Sequence, residues 1–69
     1  STFFHPNPTK DLLQLPVEVA STIVVNAMGE QVLLSNANEL HLGALPSGIY
    51  QVLATMKDGK TVFQKVVKE

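Results

Sequence analysis

Residues 46–69 read Pro46-Ser47-Gly48-Ile49-Tyr50-Gln51-Val52-Leu53-Ala54-Thr55-Met56-Lys57-Asp58-Gly59-Lys60-Thr61-Val62-Phe63-Gln64-Lys65-Val66-Val67-Lys68-Glu69. Tyr50, Val52, Ala54 and Met56 alternate with Ile49, Gln51, Leu53 and Thr55, which is the period of a β-strand and not of a helix. Lys57-Asp58-Gly59-Lys60 then predicts a tight reversal, because Asp-Gly suits the hairpin turn that needs positive φ at both central residues. A second β-rich segment, Thr61 to Val67, runs back. The chain therefore closes on a hairpin.

Working outward, the same period recurs at Leu13 and Leu15, at Ile23, Val25 and Ala27, at Val32 and Leu34, and around His41 between Leu40 and Leu42. Turn formers separate these runs: Pro6-Asn7-Pro8, Pro16, Met28-Gly29, Asn36-Ala37-Asn38, Pro46-Ser47-Gly48 and Asp58-Gly59. With a short opening strand from Thr2 to His5, the pattern predicts about seven short strands, a small all-β, immunoglobulin-like antiparallel β-sandwich. The expected inward set is Leu13, Leu15, Ile23, Val25, Val32, Leu34, Leu40, Leu42, Tyr50, Val52, Ala54 and Phe63.

Thr61 to Val67 breaks the alternation. Phe63, Lys65 and Val67 form one set, Val62, Gln64 and Val66 the other, and each is mostly apolar with one polar member. Two readings stay open. A β-bulge would let Phe63 and Val66 both reach the core; alternatively the strand keeps its outward face or free edge for a partner that adds a strand.

Size narrows the function. A chain of 69 residues makes one domain, and one core of that size supplies about 3–5 kcal/mol of net stability. It has no cysteine, which removes disulfides, thiolate metal sites and thiol chemistry. The apolar fraction of 45% excludes a disordered chain. The longest apolar runs, such as Ile23-Val24-Val25, fall far short of the ~20 residues of a membrane-spanning helix, so no direct membrane insertion is expected. The start at Ser1 and the lack of a signal-peptide pattern predict a fragment of a longer protein.

Charge is lopsided. Up to Met56 one lysine faces four carboxylates, which is −3; from Lys57 onward four lysines face two carboxylates, which is +2. Lysines on an edge strand guard against aggregation, and a basic tip also suits an acidic partner. The net charge of −1 and the absence of arginine argue against nucleic acid.

Catalysis finds no support. Serines, His5, His41, Asp11 and Asp58 occur without a nucleophile elbow or other organising motif, so no catalytic residue is assigned and the chain is read as no enzyme. Two histidines do not make a four-ligand zinc site, and no glycine-rich phosphate cradle is present, so neither a metal nor a cofactor is expected.

Four segments nevertheless form a pattern in order and spacing: Phe3-Phe4-His5-Pro6-Asn7-Pro8-Thr9 followed by Asp11-Leu12-Leu13; Ile23-Val24-Val25-Asn26-Ala27-Met28-Gly29-Glu30-Gln31-Val32; Leu45-Pro46-Ser47-Gly48-Ile49-Tyr50; and Lys65-Val66-Val67-Lys68. Across essentially its whole length, residues 1–69, the chain closely resembles the type A C-terminal sorting domain of proteins exported by the type IX secretion system of Bacteroidetes. Val25-Asn26 stands where the middle motif commonly has an aromatic and an aspartate, and Met28-Gly29 where it has Leu-Gly.

The resemblance implies a domain that is an address label and not an enzyme. Its cargo crosses the inner membrane on an N-terminal signal peptide, passes through the periplasm, and is directed across the outer membrane to the cell surface or the medium. The implied partners are the outer-membrane translocon, its shuttle barrel and a sortase-like cysteine peptidase that removes the domain. By resemblance, partner recognition falls on Gly48, Tyr50, Lys65, Val66, Val67 and Lys68; Lys60 and Glu69 are expected to join them, and the expected structural motif residues are Pro6, Asn7, Pro8, Gly29, Pro46, Asp58 and Gly59.

The residues themselves add a physical reading. Gly48 supplies a backbone conformation that a side chain would strain, and Tyr50 is a core aromatic with its hydroxyl at the rim. Exposed pairs made by Lys65 and Lys68 are worth only ~0–1 kcal/mol each, so charge steers while the strand edge, Val66 and Val67 hold. The rival readings are a structural or adhesive immunoglobulin-like module and a docking domain retained on the surface machinery. Unpaired sheet edges also predict self-association.

Overall fold

The computed structural model describes residues 4–69, which fold into two antiparallel sheets without a helix. Strands β1 (Leu12–Gln14) and β4 (Glu39–His41) form a two-stranded sheet. Strands β2 (Val19–Val25), β3 (Gln31–Ser35), β5 (Gly48–Met56) and β6 (Thr61–Lys68) form a four-stranded sheet in the order β3-β2-β5-β6. The architecture is the expected all-β sandwich, with six strands instead of about seven. Of the expected opening strand, Thr2 and Phe3 lie outside the described residues; His5 makes a single antiparallel bridge to Gln14.

The core lies between the sheets. Leu13 and Leu40, opposite each other in the smaller sheet, pack with Leu15 and Leu42 against Val24, Tyr50, Val52, Ala54 and Val66 of the larger one. Seven expected core residues are buried: Leu13, Leu15, Leu40, Leu42, Tyr50, Val52 and Ala54. Val32 is half-buried against them.

Two strands face the other way from expectation. In β2, Thr22 and Val24 pair with Ala54 and Val52 and turn inward, which leaves Ile23 and Val25 half-buried on the outer face with Leu34, paired to Ile23, 66% exposed. Ile23-Val24-Val25 carries no polar marker, so register with β5 decides the phase, and a one-residue slip reverses every side chain. A register shift between Val19 and Ser21 then brings Val19 onto the buried side.

In β6 the register with β5 is unbroken from Gly48↔Lys68 to Thr55↔Thr61, so the strand has no bulge there. Val62, Gln64 and Val66 turn inward, and Phe63 is 62% exposed. Gln64 is tolerated because its side-chain amide accepts from the Phe4 N–H and donates to the Phe4 carbonyl, both at 3.3 Å, and a satisfied polar group can sit beside a core. Phe4, fully buried, takes the place intended for Phe63.

The final hairpin forms, but with a different turn. Gly59 N–H donates to Met56 O (2.9 Å), Met56 N–H donates to Lys60 O (2.7 Å), and positive φ falls on Gly59 alone in this turn (+92°). That is a three-residue loop closed by a left-handed glycine, and it spares Asp58 the left-handed conformation. The β2–β3 turn repeats it: Gly29 N–H donates to Asn26 O (3.0 Å), and Asn26 N–H donates to Glu30 O (2.9 Å).

Candidate functional site

The four sequence segments quoted above converge at one end of the four-stranded sheet. β2 ends there, β5 begins there and β6 ends there, so Gln51 is flanked by Val25 and Lys65, Ile49 by Val67, and Gly48 by Lys68. Asn26, Ala27 and Met28 face Pro46 to Tyr50 across a shallow hollow of about 240 Å³. Nothing in the spacing of these segments announces that they meet; antiparallel pairing of β2 and β6 on either side of β5 brings them together.

The first segment runs along the outer edge of β6. Asn7 acts as a strand partner through its side chain: its Nδ2 donates to Lys65 O (3.0 Å), and its Oδ1 accepts from Val67 N–H (3.0 Å). Thr9 continues in parallel, its N–H donating to Val67 O (2.9 Å) and its carbonyl accepting from Glu69 N–H (2.8 Å). Pro6 and Pro8 flank Asn7 and carry no N–H to donate, so the Asn7 amide supplies what the backbone cannot. The terminal edge expected to be free is thus clasped from Lys65 to Glu69.

Asn7→Ala removes two hydrogen bonds worth about 0.5–1.5 kcal/mol each. The expected result is a melting temperature lower by roughly 4–24 °C and faster hydrogen exchange at the Val67 amide. Unchanged exchange at Val67 would show that Asn7 does not hold the edge.

Gly48 has φ +156°, and a Cβ there would meet nothing within 4 Å. Backbone conformation and not space demands glycine. Two residues on, Tyr50 is buried and its hydroxyl donates to Pro46 O at 2.6 Å, which ties the turn to the first residues of β5. That is how Pro46, Gly48 and Tyr50 act as one unit, as in the tyrosine corner of other β-sandwiches.

The remaining proposed residues divide. Val67, Lys65 and Glu69 are open to solvent and Lys68 is half-buried, but Val66 is in the core, so its side chain supports the site from beneath without reaching a partner. Lys60, Asp58 and Gly59 sit in the β5–β6 turn at the opposite end of β6, roughly 24 Å of strand away from Lys68. Phe4 and Thr9, both buried and both anchors of the clasp, were not among the expected recognition or motif residues.

On the smaller sheet, His41 stands 3.6 Å from both Asp11 Oδ2 and Glu39 Oε1, all exposed. Pairs in that setting contribute little, and among the described residues no three such groups are placed to hold a metal.

A model of the secretion system C-terminal sorting domain family matches residues 4–69, from the buried Phe4 to Glu69. The chain belongs to this family. Comparison with curated proteins finds no match. The sorting domain is therefore one of type IX secretion, a class of signal domains and not of enzymes. It implies interaction with the type IX system in general and a secreted parent that passes to the cell surface or outside. Among its described residues no helix is long and apolar enough to cross a membrane.

Proposed function

We propose that residues 1–69 are the single C-terminal address label of a larger exported protein, read by the type IX machinery at the end of the sandwich where the four motif segments meet. The family match over residues 4–69 carries this reading. The clasp supports it: Asn7 and Thr9 hold Lys65 to Glu69 in one conformation, and a preformed tip costs a receptor less ordering entropy on binding. Lys65, Lys68, Val67 and Glu69 meet the partner; Gly48, Tyr50 and Val66 fix the backbone on which they stand.

The parent travels through the periplasm, is delivered by the shuttle barrel to the outer-membrane translocon, and is freed by a sortase-like peptidase. A reporter carrying an N-terminal signal peptide and this domain at its C-terminus tests the reading in a type IX-competent bacterium. The expected result is reporter outside the cell, with retention in the periplasm when Lys68 is changed to glutamate or when Lys65 to Glu69 are deleted. Secretion of both altered reporters at the unaltered level would overturn it.

A further inference from the structure

Among the described residues, five of the seven exposed large apolar side chains, Leu34, Ile49, Leu53, Phe63 and Val67, lie on the outward face of the four-stranded sheet. Leu34↔Ile23, Ile23↔Leu53 and Leu53↔Phe63 are cross-strand partners, so these four side chains form one row across all four strands. Side chains opposite one another on a sheet face touch. The row is continuous, and apolar patches of this kind mark interaction surfaces.

The next row is Gln31, Val25, Gln51 and Lys65. Lys65 is the one charged side chain among the outward-facing residues of the paired strands, and no carboxylate stands on that face. A second copy laid face to face would bring another lysine and no acid, and a desolvated charge without a partner is costly. Size argues the same way. Four strands about 4.8 Å apart over about five paired residues cover roughly 300 Å², whereas a stable dimer draws about 800 Å² from each copy. A face this small suits a transient encounter. Strand addition is not the alternative on the C-terminal half of β6, where Asn7 and Thr9 occupy the edge.

We infer that the Leu34-Ile23-Leu53-Phe63 row with Lys65 is a docking face for a protein of the export machinery that presents an apolar strip with a carboxylate opposite Lys65. The inference rests on the sorting role proposed above and adds a surface to it. Apolar contact holds the partner, and Lys65 sets its orientation.

The test uses the secretion reporter with Phe63→Ser, Leu34→Ser, Lys65→Glu and Lys65→Arg, and with Val17→Ser as an exposed apolar control off this face. Circular dichroism and melting of the isolated chain verify folding; with two separate apolar positions and one charge position, a single misfolded variant does not decide the result. Secretion is expected to fall at least tenfold for Phe63→Ser, Leu34→Ser and Lys65→Glu, and to stay within twofold for Lys65→Arg and the Val17→Ser control. Folded face variants that are secreted normally while Lys68→Glu is retained would overturn this face and leave the sorting role standing. A wild-type domain that exports nothing would overturn both.

Two further results would also overturn it. If the wild-type chain sediments as a dimer that Phe63→Ser dissociates, a second copy covers the face. If it co-sediments with phosphatidylglycerol vesicles and Phe63→Ser does not, lipid covers it.

Discussion

Phe4→Ala unfolds most of the domain at 25 °C. Phe4 is fully buried and sits over both sheets, its neighbour His5 bridged to Gln14 of β1 and its own backbone held by Gln64 of β6. Cutting a buried phenylalanine to alanine costs about 3–5 kcal/mol, and a cysteine-free core of this size holds about 3–5 kcal/mol in total. The melting temperature is expected to fall by roughly 12–40 °C. Phe63→Ala, at a side chain 62% exposed, should cost about 1 kcal/mol or less. Thermal denaturation followed by circular dichroism compares the two; equal losses would show that Phe4 is not the anchor.

The second large effect separates two adjacent valines. Val66→Asp places a carboxylate at a fully buried position, and Lys68, the cation on that side of the strand, lies two residues on, half-buried at the end of β6; the cost is several kcal/mol, on the order of all that the core holds. Val67→Asp changes a side chain that is 38% exposed on the outward face, and its expected cost is about 1 kcal/mol. The first variant should lose its cooperative unfolding transition and the second should keep it. If both unfold alike, the β5–β6 register is not the one described.

Much of the fold was legible in the residues. Tyr50, Val52, Ala54 and Met56 alternate cleanly with a more polar set, and both turns carry a glycine at the point where the backbone needs positive φ. The paired leucines of β1 and β4 were legible for the same reason, since Leu13 and Leu40 are flanked by residues that tolerate solvent. Where both neighbours are apolar the signal vanishes. Ile23-Val24-Val25 and Val66-Val67 offer no polar residue to mark the outside, and in β6 the adjacent Gln64 and Lys65 put one polar residue on each face, Gln64 turning inward to satisfy Phe4. With one polar residue on each face, the bulge reading stayed open and put Phe63 in the expected core, where the structure has Phe4.

The site was legible as four segments but not as a place. Their convergence depends on β5 pairing with β2 on one side and β6 on the other, and the clasp depends on Asn7 reaching residues 58 and 60 positions further along the chain. Self-association through open edges was expected from strand composition; the clasp removes the C-terminal half of the β6 edge from that account.

Local chemistry is enough to determine an all-β chain, its turns, its lack of thiol chemistry and its family, because alternation, glycine placement and motif order are properties of neighbouring residues. Which valine is buried, which phenylalanine anchors the core and where the motifs gather were decided only by the tertiary structure. Those outcomes rest on strand register and on hydrogen bonds between distant residues, and a shift of one residue in register would have reversed each of the faces involved.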